Sequence, residues 1–194
     1  MPAKAKSLRT LKELSRKYPA LQDMLFIIGD VPSDQEKSDR TTAIIAGALL
    51  DMFLELAIRS KLVPWDDDNE KQLFSGSGPL STMSAKIDLA YALGLFGKRI
   101  HIELHHIREI RNAFAHTVAN ITFDMPEVAN VCARLKTPDL YPPDSPSYKR
   151  NSKQRFLFAS RMCWIVLSDT ANKRRPTAKR FKSIADKLYP ELKS

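Results

Sequence analysis

Two helical patterns stand back to back in the middle of this chain, with one glycine between them. Residues 81–96 read STMSAKIDLAYALGLF, and residues 98–118 read KRIHIELHHIREIRNAFAHTV. In the first, Ile87, Leu89, Ala90, Ala92, Leu93, Leu95 and Phe96 leave almost no polar face, which is the pattern of a central helix. In the second, Ile100, Leu104, Ile107, Phe114 and Val118 recur at helical spacing. Gly97 is too short a connection for anything but a tight antiparallel hairpin. A chain with such a hairpin at its centre must pack helices on it from outside. No alternating strand pattern appears elsewhere, and the predicted fold class is all-α: a single-domain helical bundle around the hairpin, about 81–96 and 98–118.

The remaining segments fit that plan. The predicted layout is a helical extension over 1–35, a helical domain over 36–171 and a basic helix or tail over 172–194. Thr41 to Leu62 predicts a long helix with Ile45, Leu49, Met52, Phe53 and Leu56 on a broad apolar face. On it, Asp51, Glu55 and Arg59 form a four-residue charge ladder. Val63 to Pro79 reads as a loop, and its run Asp66-Asp67-Asp68 as a solvated connection. Pro126 to Leu135 predicts a helix with proline in its first turn. Lys149 to Ala171 predicts another, with Phe156, Leu157, Met162, Trp164, Ile165 and Leu167 inside. No apolar run reaches the ~18 residues of a membrane span. No secretory signal is visible, and Cys132 and Cys163 read as reduced core thiols, so the expected compartment is the cytoplasm with no membrane contact.

Charge is unevenly placed. The chain carries 31 Lys/Arg and 22 Asp/Glu, a net +9. Residues 145–194 hold 13 of the basic residues and three acids (+10); residues 1–144 hold the other 18 and 19 acids (−1). Lys173, Arg174, Arg175, Lys179, Arg180 and Lys182 are therefore candidates for weak, sequence-tolerant contacts to nucleic-acid phosphates. A solvated helical surface is the other reading.

Chemistry concentrates at the end of the second hairpin helix. Arg111 lies on the apolar stripe, between Ile107 and Phe114, and cannot be buried without an acceptor. His116 follows five residues later, with an unperturbed pKa of about 6.5. An arginine clamps phosphate and a histidine moves a proton near neutrality. Together they suit metal-independent cleavage of a ribose phosphodiester by its own 2′-hydroxyl. Five helical residues turn the chain by about 500°, so the two side chains point about 140° apart on a continuous helix. They meet only if the helix unwinds or two copies face each other. The structural alternative pairs Arg111 with Asp88 and lets His116 cap the helix C-terminus. Asp88, inside the apolar helix, is expected to be buried and bonded to Arg108, Arg111 or a backbone donor. His101 and His105 are four apart, but Glu103 is not placed for a zinc-protease motif and no cysteine is near. No metal and no cofactor are expected.

Leu73-Phe74, Gly78-Pro79-Leu80-Ser81, the run Ser84 to Leu95 and the run Ile107 to His116 resemble the mannitol operon repressor family, as do Phe123-Asp124 and Pro126-Glu127. The likeness spans roughly residues 40 to 170. It implies a compact helical, cytoplasmic transcriptional regulator without a visible DNA-reading element, acting through protein contacts. Arg111-Asn112-x-x-x-His116 is also similar to the Arg-x(4–6)-His motif of the HEPN superfamily. Many of those proteins are RNases that build one cleft from two chains, which would make Arg111 and His116 catalytic, Asn112 supporting, and a homodimer the working form.

Overall fold

A computed structural model describes residues 39–63, 67–118, 120–140 and 151–172. The extension over 1–35 and the basic residues from Lys173 onward lie outside them. Among the described residues six α-helices follow in order: α1 (Asp39–Arg59), α2 (Asp67–Phe74), α3 (Met83–Ala92), α4 (Lys98–His116), α5 (Pro126–Arg134) and α6 (Ser152–Asn172). A 3-10 turn, Thr137–Leu140, links α5 toward α6. No strand occurs among the described residues, and the all-α expectation holds.

α1, α4 and α6 supply the core. On α1, Ala43, Ala46, Leu50, Leu54, Ala57 and Ile58 are buried, at the three- and four-residue spacing that makes one face. Leu104, Ile107, Ile110 and Phe114 come from α4, and Phe156, Ala159, Cys163 and Leu167 from α6. Each large aliphatic or aromatic side chain so buried stabilises the fold by about 1.5–3 kcal/mol. Phe123 stacks obliquely between Phe114 (4.8 Å) and Phe156 (5.2 Å), tying the segment after α4 to two helices. The start of α1 is latched to that segment. Asp39 Oδ2 accepts from the Phe123 amide at 3.0 Å, Lys153 pairs with Asp39 Oδ1 at 2.9 Å, and Arg40 donates to Thr117 O at 2.7 Å.

α1 itself is 21 residues long and apolar enough, with mean hydropathy 1.8, to cross a membrane by length and composition. The absence of a long uncharged run did not reveal this, because Asp51 alone interrupts the stretch from Thr41 to Leu54. In this fold half of that window is buried inside the bundle. That is the environment of a central helix in a three-helix core.

Two expectations change. The stretch after Val63 is not all loop: residues 67–74 form α2. Acidic residues opening a helix are favourable at its positive end, so the acidic run starts a helix. The first hairpin helix is also shorter than 81–96. α3 ends at Ala92, where Gly94 takes φ +67°. The Leu95 amide then bonds Ala90 O (3.0 Å) and the Gly94 amide bonds Tyr91 O (2.9 Å), a Schellman ending that satisfies the last carbonyls. Glycine reaches this left-handed conformation without strain. The hairpin turn is therefore Leu93–Gly97, with Tyr91, Ala92 and Leu93 exposed.

The charge ladder of α1 is present and has a further partner. Glu55 Oε1 accepts from Arg59 Nη2 at 2.8 Å. Buried Lys86 of α3 brings its ammonium 2.9 Å from Asp51 and 3.5 Å from Glu55. Glu103 of α4 is buried too, and its Oε1 accepts from the amides of Lys136 and Thr137, holding the exit of α5. Arg155 of α6 closes the same corner by donating to Cys132 O and Leu135 O and pairing with Asp139 at 2.8 Å.

Candidate functional site

Arg111 does not pair with Asp88. Its aliphatic stem runs across α1 at Gly47, so close that a Cβ on residue 47 would collide with Arg111 Cγ and come within 2.9 Å of its Cβ. Over that notch the guanidinium turns toward Asn112 and donates to its Oδ1 at 3.0 Å. Arg108, one turn earlier on the same face, points the same way. With Asp51, Ser81 and Thr82 these three residues line an open cavity of about 420 Å³. The Nε atoms of Arg108 and Arg111 are both out of solvent and without a hydrogen-bond partner.

The floor of the cavity is the start of α3. Thr82 caps that helix, accepting from the Ala85 amide at 3.2 Å. A helix start carries partial positive charge. Two guanidinium groups beside it make the cavity cationic, while Asp51 on the rim is engaged by Lys86. Two arginines on such a lining suit a carboxylate or phosphate, which a planar guanidinium can clamp.

His116 is elsewhere. α4 continues unbroken to His116, and the Thr117 amide still bonds Ala113 O at 3.1 Å. The helix does not unwind, so the 140° divergence stands within one chain. His116 is exposed, does not line the cavity and makes no hydrogen bond among the described residues. It sits in the last turn of α4.

Asp88 is a correction. It is exposed, with 59% of its side chain accessible, and it faces neither Arg108 nor Arg111. Its Oδ1 lies 2.9 Å from His101 Nε2 and 3.0 Å from His105 Nε2. The helix expected to be apolar all round has a wet face, and Asp88 stands on it. The His101 hydrogen bond, opposed by slight burial and aided by His105, holds the Asp88 carboxyl below its usual range. The two imidazoles are in turn 3.2 Å apart at Nε2, and Tyr91 stacks on His101 with ring centres 4.5 Å apart. These three side chains have donor atoms close enough for one metal ion. The two histidines were visible in the sequence at helical spacing; the third group was not, because it comes from across the hairpin turn. Positions equidistant from a turn face each other, so the missing signal was the turn's true centre near residue 95.

Other reactive groups are placed out of use. Burial pushes the Cys132 thiol up to about 12, against the pull of Arg155. Cys163 is raised well above the usual thiol range by burial and by Glu103. Both are free and buried, and neither offers a thiolate at neutral pH. His106, half-buried with Nδ1 unpartnered, is pulled below its usual value by desolvation and then by Arg134. Arg108 was missed as a cavity residue, although its three-residue offset from Arg111 puts it on the same helix face. The tail candidates Lys173, Arg174, Arg175, Lys179, Arg180 and Lys182 lie outside the described residues.

No protein family's sequence profile matches the chain, and no curated protein matches it. Among solved structures, one chain of the X-ray structure of the MtlR-HPr complex from Escherichia coli superposes with a TM-score of 0.54. The identity is 18%, and the match covers 73% of this chain and 96% of that one. At that identity the likeness is one of fold: the helical arrangement is distantly MtlR-like.

Proposed function

We propose that this protein is a non-enzymatic transcriptional regulator of the mannitol-repressor type, working in the cytoplasm through contacts with a protein partner. The observation that carries this reading is the helical arrangement common to this chain and to a complex of MtlR with HPr. The cationic cavity supports it. Arg108 and Arg111 line an opening where an acidic side chain of a partner can enter. An HPr-type protein is the first partner to try. Calorimetric titration of the full chain with HPr from the same organism should give a saturable 1:1 isotherm, weakened at least about tenfold by Arg108→Ala with Arg111→Ala. Heats indistinguishable from dilution would exclude this partner, and binding unchanged in the double variant would move the contact away from the cavity.

A second reading keeps Arg111 and His116 as catalytic residues of a HEPN-type, metal-independent endoribonuclease, with Asn112 orienting the guanidinium. The Arg111–Asn112 hydrogen bond at an open cavity favours it. Because α4 is unbroken, it requires a homodimer in which the partner's helix supplies the histidine. RNA cleavage in excess EDTA, lost in Arg111→Ala and in His116→Ala and partly restored by mixing the two, is the expected pattern. Cleavage that survives both substitutions would remove these residues from the reaction.

A further inference from the structure

We propose that Asp88, His101 and His105 form a binding site for one divalent transition-metal ion of the zinc class, bridging α3 and α4. The site goes beyond the regulator reading and does not rest on it.

The geometry carries the proposal. Asp88 Oδ1, His101 Nε2 and His105 Nε2 form a triangle with edges of 2.9, 3.0 and 3.2 Å. Ligand atoms about 2.1 Å from a metal stand about 3.0 Å apart when cis on an octahedron and about 3.4 Å apart on a tetrahedron. The triangle falls at the octahedral value and approaches the tetrahedral one. A point about 2.1 Å from all three atoms lies about 1.2 Å out of their plane, so the three donor atoms are already spaced to share one ion.

Protons alone serve this triangle poorly. If both Nε2 atoms carry hydrogen toward Asp88, the two N–H groups crowd each other at an oxygen that sees them about 65° apart. If one nitrogen is bare, its lone pair faces the carboxylate oxygen at 2.9–3.0 Å. A cation accepts all three lone pairs at once. Two imidazoles with one carboxylate select a borderline transition ion over magnesium or calcium, which prefer oxygen cages. Tyr91 stacks on His101, and His105 meets the His101 ring edge-on with ring centres 4.7 Å apart. The exposed side of Asp88 leaves further coordination positions open to water or to a donor from another molecule.

The test uses the tag-free full chain, stripped with EDTA and dialysed. Titration with ZnCl2 should show one equivalent bound with a micromolar or tighter Kd, and CoCl2 should give a visible d–d absorption band displaced by zinc. Zinc should raise the thermal midpoint, since an ion bound to the folded state alone stabilises it. Asp88→Asn should weaken binding at least about tenfold, and His101→Gln with His105→Gln should abolish both the band and the thermal shift, with helical circular dichroism unchanged. No zinc uptake by the wild-type chain would overturn the proposal, leaving a hydrogen-bonded cluster. One equivalent bound equally well by the double histidine variant would overturn it too, by placing the ion elsewhere.

Discussion

At the scale of single residues, Gly47 and Arg111 are closely packed against each other. A Cβ at position 47 would meet Arg111 Cγ and Cβ, the root of the side chain, which has less freedom to move aside than the guanidinium. Gly47→Ala should therefore destabilise by about 1–3 kcal/mol, the cost of overpacking, in urea or thermal unfolding. Arg111→Ala removes the Cγ collision and leaves only the 2.9 Å approach to Cβ, so the double variant should cost less than the two single changes added together. Strict additivity would show that the two do not touch. His106 gives a pH signature. Its pKa in the fold is below the unfolded value, so the unfolded chain takes up the proton first. Stability from this group is present above the unfolded pKa of about 6.5 and is lost as pH falls from there through the folded value. His106→Gln should flatten the stability profile in that window, and an unchanged slope would assign it to another group. Arg111 was legible as the residue to watch because a guanidinium on an apolar stripe demands an account. Its surroundings were not, because they depend on a missing side chain on another helix.

At the scale of elements, periodicity located α1, α4, α5 and α6 to within a few residues, since each has one sustained apolar face. It failed where charge and apolarity share a short helix. α2 reads as loop because its first residues are acidic, and α3 reads as longer and drier than it is because Leu93, Leu95 and Phe96 continue the apolar run past the Gly94 turn. The attachment of α3 to α1 was also hidden, as it runs through a buried lysine. Lys86 holds Asp51 and Glu55, which are themselves about one-third exposed. Removing both acids strands an ammonium in the core, so Asp51→Asn with Glu55→Gln should cost about 3 kcal/mol or more. Lys86→Met leaves two carboxylates that water can reach and should cost less. The reverse order in chemical denaturation would mean that Lys86 finds another acceptor.

At the scale of the whole molecule, part of the C-terminal positive charge is already committed. Lys153 is paired with Asp39, and Arg155 with Asp139 and two backbone carbonyls, so neither offers a free charge to a polyanion. The candidates that remain are those from Lys173 to Lys182. If they contact phosphate, binding to an unrelated duplex should fall with salt at about 0.9 in log K per neutralised phosphate, and a chain lacking residues 173–194 should lose most of it. Equal binding by both chains would show the tail to be a solvated surface. The notch at Gly47 has a consequence at this scale as well. Positions 47 and 111 are far apart in sequence, yet the methyl absent from one is what seats the arginine of the other. In divergent chains of this fold the two positions should therefore change hands together. A small residue should accompany the arginine, and larger ones should arise only where residue 111 has shortened, so that a cavity on the surface leaves its trace in the core helix beneath it.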